Sequence, residues 1–230
     1  MAIFAIGDLH LPGGQDKPMD VFGSHWGDHA SRIADSWKKN VAAGDLVLIP
    51  GDISWAMQFE QAKNDLLWIA DLPGEKLLLR GNHDYWWSSI GKIRSWLPYG
   101  MHALQNDTFP WNDFVICGSR GWVFPTTSSP LDSTDSKVYN RELIRLELSL
   151  QKAQIAQRPI LVMTHYPPLL KDTLDTAFTA LLERYHVSLC CFGHLHDTGI
   201  ANAFQGLHNG IDYHLVSCDA IEFAPKKIVL

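Results

Sequence analysis

Long apolar runs are missing from this 230-residue chain. No stretch approaches the ~18 residues that read as a membrane span, so no membrane partner is expected. The first apolar run, Ala2 to Ile6, is too short for a signal-peptide core and has no basic flank. Cysteine is scarce. Cys117, Cys190, Cys191 and Cys218 lack the spacing of a thiolate metal site and lie in apolar, strand-like runs. They read as reduced core residues in a reducing compartment. Basic residues are also few: 19 Lys and Arg against 25 Asp and Glu, for a net charge of −6. They are scattered, which argues against an extended nucleic-acid surface. A small anionic substrate stays compatible, because bound cations reverse the sign of charge locally. No Pro/Gly/Ser-rich linker, internal repeat or low-complexity tract divides the chain. With 46% hydrophobic residues it has the core of one domain spanning 1–230.

Five apolar runs end in Gly or Thr and then in polar donors: AIFAIGDLH, DLVLIPGD, KLLLRGNHD, ILVMTHYPP and SLCCFGHLH. Each run has the length and the Ile/Leu/Val content of a buried parallel strand. Open α/β sheets carry their chemistry at the ends of such strands. The runs deliver Asp8, His10, Asp52, Asn82, His83, Asp84, His165, His194 and His196. Carboxylates, one amide and imidazoles without thiolate suit Mn, Fe or Zn in a catalytic rather than a structural site. Asp52 has two oxygens with which to bridge two ions.

Strands are predicted at 2–6, 45–49, 76–80, 114–118, 159–164 and 187–192. Helical periods run through 58–71, 140–157 and 174–185. This alternation predicts a mostly parallel sheet with helical crossovers. Past His196 the short segments 199–204, 211–217 and 226–230 predict a second, more antiparallel sheet. Two facing mixed β-sheets flanked by helices make a four-layer αββα sandwich of the α/β class. Residues 11–25, with Pro12, Gly13, Gly14 and Pro18, and residues 119–138 read as long loops of the kind that form rims or lids. Trp55, Trp86 and Trp87 read first as core and helix packing. With Tyr85 they also stand close to the strand ends, where aromatic rings can cover an organic group. Arg120 stands just beyond a strand, where its guanidinium can fork onto phosphate oxygens or pair with a loop Asp at the surface. His25, His29, His208 and His214 stand outside the clusters, with core, surface or rim roles open.

The order Asp-x-His, Gly-Asp, Gly-Asn-His-Asp, His, Gly-His-x-His resembles the calcineurin-like metallophosphoesterase superfamily over residues 7–197. The resemblance implies two metal ions. Asp8, His10, Asp52 and His196 would hold the first. Asp52, Asn82, His165 and His194 would hold the second, with Asp52 shared. It also implies hydrolysis of a phosphoester by a hydroxide shared between the ions. His83 would meet the leaving oxygen, with Asp84 holding its ring. Phosphoprotein phosphatases of the family read Gly-Asp-x-Val-Asp-Arg-Gly and Gly-Asn-His-Glu. This chain has Gly51-Asp52-Ile53-Ser54-Trp55-Ala56 and Gly81-Asn82-His83-Asp84. Asp8-Leu9-His10-Leu11 is similar to lipid-pathway pyrophosphatases, which carry Arg where His83 stands. The chain most resembles compact bacterial phosphohydrolases, which implies a cytoplasmic place. With no basic stripe and an acidic balance to grip a polymer, a small phosphorylated metabolite or nucleotide is the expected substrate. The competing readings are a serine/threonine-type phosphoprotein phosphatase and a catalytically silent interaction module on the same fold.

Overall fold

The computed structural model describes residues 1–14, 19–126 and 129–229. Pro18 lies outside the described residues. Two sheets stack face to face. The first holds β1 (Ile3–Ala5), β2 (Leu46–Ile49), β3 (Glu75–Leu78) and β4 (Met101–Ala103), all parallel, with β11 (Lys226–Val229) antiparallel on β1. The second runs in the order β5 (Thr108–Trp111), β6 (Phe114–Ser119), β7 (Ile160–Thr164), β8 (Val187–Phe192), β10 (Ile211–Leu215), β9 (Gly206–His208). Its four central strands are parallel and its two edge strands antiparallel.

Side chains alternate across each strand with period two, and the core divides accordingly. Leu46 and Leu48 of β2 meet Leu161 and Met163 of β7 between the sheets. Val47 and Ile49 point the other way, to a layer built by α1 (His29–Asn40), α2 (Phe59–Ala70) and α3 (Ile90–Trp96). Val162 and Cys190 face α4 (Ser133–Ile155) and α5 (Ala177–Arg184). Helix, sheet, sheet and helix form four layers, as expected. All four cysteines are free and buried. Among the described residues, no helix is long and apolar enough to cross a membrane.

The second sheet does not start in the C-terminal third as the sequence suggested. It begins at β5. Segment 199–204 forms most of a 3-10 turn (Asp197–Asn202), β10 lies parallel to β8, and β11 returns to the first sheet. Short terminal strands carry no signal for which edge they will pair with, and here long-range packing decides. β5 escapes the sequence reading because it contains Pro110, which a strand tolerates only at an edge. Helix α1 was missed although Ile33, Ala34 and Trp37 share its buried face. Helix α4 starts at Ser133, inside the predicted loop 119–138. Asp132 caps it by accepting from the Thr134 and Asp135 N–H groups.

Asp65, on α2, is buried and joins two of the strand-end loops. Its Oδ2 accepts from the Gly13 N–H at 2.7 Å and from the Ser54 hydroxyl. Removing it leaves two buried donors unpaired, each costing about 1–3 kcal/mol. Asp65→Ala is expected to lose roughly 2–4 kcal/mol in urea unfolding, with Asp65→Asn recovering part of the loss.

Candidate metal centre

Five strands that end at the junction of the two sheets contribute donors there. Asp8 and His10 follow β1, Asp52 follows β2, and Asn82 and His83 follow β3. His165 follows β7, and His194 and His196 follow β8. Backbone bonds zip these loops together: Asp8 N–H to Gly51 O (2.9 Å), His10 N–H to Asp52 O (3.0 Å), and Gly193 N–H to His165 O (3.1 Å). The turns are tight. Asp8, His10, Asp52 and His194 all have positive φ, at 58°, 45°, 50° and 72°. Non-glycine residues held there store strain, which clusters at functional sites. Glycine makes the approach possible. A Cβ on Gly81 would overlap Asp52 Oδ1, and one on Gly193 would overlap Asp8 Oδ2.

The donor atoms form two adjoining groups. Asp8, His10 and His196 converge in one; Asp8, Asp52 and His165 converge in the other. His196 Nε2 is 3.3 Å from both Asp8 Oδ1 and His10 Nε2. Asp52 Oδ2 lies between the groups, 4.0 Å from His10 Nε2 and 3.5 Å from His165 Nε2. Asn82 Oδ1 receives His165 Nε2 at 2.6 Å and His194 Nδ1 at 3.0 Å. All seven ligands expected from the sequence therefore meet in one place. Asp8 reaches both groups, so sharing is not confined to Asp52.

These contacts suit a cation. Burial lowers the pKa of His165, so its ring is neutral and carries one N–H. Yet its two nitrogens face two carbonyl oxygens, Pro50 O at 3.0 Å and Asn82 Oδ1 at 2.6 Å. One contact sets lone pair against lone pair, and a cation beside Nε2 and Oδ1 removes that conflict. The protonation pattern agrees. Burial, reinforced by the charge of Asp8, raises Asp52 to about 8. Burial also pushes Asp8 up, but the His196 hydrogen bond and the neighbouring histidine charges outweigh it and hold Asp8 below the usual range. Burial pushes His196 down, but hydrogen bonds with Asp219 and Asp8 carry it up to about 10. Burial takes His194 down to about 3. Asp52 and His196 thus hold protons where a bound cation would supply the neutralising charge.

The residues around the donors divide into supports and walls. Asp84 accepts from the N–H groups of Ile53 (2.9 Å), Ser54 (3.2 Å) and Gly81 (2.7 Å) and from Trp86 Nε1 (2.9 Å). Burial and the charge of Asp52 raise it to about 6. Its carboxylate thus holds the His83 loop. The His83 N–H itself binds Asp52 Oδ1 at 2.8 Å, and its ring stands at the cleft mouth 4.8 Å from the ring of Trp55. Trp55 stacks on His10 at 4.7 Å. Trp86 and Trp87 are buried in the core of the first sheet. Tyr85 is exposed.

Sequence reading missed two contributors. Asp219 follows β10, a sixth strand end, and its Oδ1 receives His196 Nδ1 at 2.8 Å, which aims Nε2 into the centre. The run IDYHLV before Ser-Cys-Asp alternates apolar and polar residues, so it lacked the continuous apolar signal of the other five. Trp26 packs its edge on His10 at 6.0 Å and lies 5.5 Å from His196. The outlying histidines are now placed. His29 Nε2 meets Leu9 O (3.1 Å), His25 pairs with Asp197 (3.1 Å), His208 with Asp175 (3.5 Å) and His214 with Asp212 (2.9 Å). Arg120 lines a neighbouring cavity, with its guanidinium 4.5 Å from the Trp122 ring.

Outer partners of ligating histidines typically contribute 10–100-fold to metal affinity. Asp219→Ala is therefore expected to weaken Mn²⁺ binding by roughly that factor while the fold melts normally. Titration calorimetry beside a melting curve reads both, and unchanged affinity would remove Asp219 from the centre.

The model of the calcineurin-like phosphoesterase family matches residues 1–198 and takes in all seven ligand positions. Over 221 residues the chain is 37% identical to the gene 66 protein of Mycobacterium phage L5, covering 93% of this chain and 89% of that protein. A 58-residue stretch is 41% identical to the gene 66 protein of Mycobacterium phage D29, covering 25% of this chain and 28% of that one. Among solved structures the chain is similar in fold to phosphopantetheinyl hydrolase from Mycobacterium tuberculosis. The TM-score is 0.59 at 14% identity, over 96% of this chain and 91% of that one. The family model spans the five strand-end clusters whose donors converge, and this chain belongs to the calcineurin-like phosphoesterase family.

Proposed function

We propose that the chain is a dinuclear metal-dependent hydrolase of small phosphoesters. The observation that carries this reading is the pair of adjoining donor groups with Asp52 Oδ2 between them. Asp8, His10, Asp52 and His196 would hold one ion, and Asp52, Asn82, His165 and His194 the other, with Mn, Fe or Zn suited to the donors. Two bound cations would draw a nucleophile from water near neutral pH and offset the charge on phosphoryl oxygens.

The chain's own residues supply the rest. Buried Asp8 and Asp52 hold the charge of the centre in place. His83, anchored by its N–H on Asp52, presents its ring at the mouth and donates a proton to the departing alkoxide. Asp84 keeps that loop fixed through its four hydrogen bonds.

The cleft also supports an organic substrate of small size. It encloses about 150 Å³, and Met19, Phe22, Trp26 and Trp55 line it beside the donors. Such a wall suits the apolar or ring portion of a phosphorylated metabolite or nucleotide. A protein or nucleic-acid chain would find little to grip beyond it.

Protein loaded with Mn²⁺ should bind close to two equivalents by elemental analysis. It should also turn over at least one small ester in a panel of nucleotides, cyclic nucleotides and sugar phosphates. A firm single equivalent in active protein overturns the dinuclear reading. A phosphoprotein or long DNA with tenfold higher kcat/KM than every small ester overturns the substrate class. His83→Ala should keep its metal and lose roughly 10²–10⁴-fold in rate on a poor leaving group, and far less on nitrophenolate. Equal losses on both would assign His83 to positioning instead.

A further inference from the structure

Beside the metal centre lies a second cavity of about 300 Å³. The end of β3 brings Arg80 to it, the end of β6 brings Ser119 and Arg120, and α4 brings Arg141, Glu142 and Arg145. The charged side chains lining it are four arginines and one glutamate. Glu142 is buried and committed: its Oε1 lies 2.6 Å from Arg145 Nη1 and 3.8 Å from Arg120 Nη2. Among the described residues, Arg80 and Arg141 have no hydrogen-bond or ion-pair partner. The Nε atoms of Arg80 and Arg120 are buried without an acceptor. Guanidinium groups cannot shed their charge to relieve this. Burial and the charges of Arg80 and Arg145 lower the pKa of Arg120, and Glu142 only partly offsets them.

Four cations gathered around one carboxylate in a chain of net charge −6 are not a generally basic surface. They form a local trap for negative charge. The forks arrive from three elements, which suits a tetrahedral anion with several acceptor oxygens better than a planar carboxylate. The volume is at the lower end for small-molecule sites and excludes a polymer. We propose that this cavity is an anion site separate from the metal cleft, and that it takes a small phosphate-bearing molecule. It does not depend on the hydrolase reading. The two sites share backbone, because the Arg120 carbonyl accepts from the N–H groups of the ligand His165 (3.0 Å) and of Tyr166 (2.9 Å).

Equilibrium dialysis of radiolabelled inorganic phosphate against the Mn²⁺-loaded full chain tests this without turnover. Asp52→Ala, which disables the metal centre, should retain one class of phosphate binding. Arg141→Glu and Arg120→Gln should each weaken that class at least tenfold while metal content stays unchanged. Arg141 is exposed on α4, so its variant keeps the test valid if Arg120→Gln fails to fold. Loss of all phosphate binding in Asp52→Ala overturns the proposal, as does phosphate binding within twofold of wild type in Arg141→Glu.

Discussion

Two carboxylates, Asp8 and Asp52, are buried together where the ends of two sheets meet, and much of the local structure answers to that placement. Like charges in a poorly solvated pocket repel strongly. The chain compensates with histidines, with backbone N–H groups and with a geometry that suits cations. The His194 N–H reaches Asp8 Oδ1 and Oδ2 at 3.0 and 3.1 Å, and the His83 N–H reaches Asp52 Oδ1 at 2.8 Å. Positive φ at Asp8 and Asp52 turns both carboxylates into the seam. The strain this stores is balanced by the core around it, with Asp65 and Asp84 tying the loops from outside.

The architecture explains why so small a domain can hold so many donors in register. Parallel strands point their C-terminal ends the same way, and stacking two such sheets brings two rows of ends together. The apolar layer between the sheets sets their separation through Leu48, Leu77, Leu161 and Met163. The bridge between Gly7 and Ser217 links the end of β1 to the end of β10 across that seam. Donors one to five residues beyond strands on opposite sheets thus come within a few ångströms, as Asp8 and His194 do.

The surroundings of the centre are unlike on its two sides. Toward residues 19–26 and Trp55 the walls are aromatic and apolar, and the His10 ring is held between Trp26 and Trp55. Toward α4 the groups are guanidinium, with Trp122 and Tyr166 standing between Arg120 and the ring of His194. A chain with a negative overall charge thus keeps its positive potential local, and its apolar surface lies next to the donors.

The seven side chains that converge were legible from sequence because each follows an apolar run, and local spacing is what a sequence records. The central strands were legible for the same reason, since parallel strands buried on both faces are continuous apolar runs. Edge strands such as β4 and β5 were not, β4 having only three residues and β5 being half exposed, and β11 carried no mark of the sheet it would join. Nor were the supports. Asp219 lies 23 residues from the histidine it orients, and Trp26 meets His10 only through the fold. Trp86 and Trp87 look like rim residues beside Asp84 but turn into the core, because the Asp84 bonds fix the direction of that loop. Arg120 shows the limit most plainly. Its place after β6 followed from the sequence, but packing of α4 against the end of that strand set it among other arginines. Side-chain type and local spacing determined which groups the strand ends carry. Tertiary packing alone decided which of them face one another, because those distances depend on contacts between residues far apart in the chain.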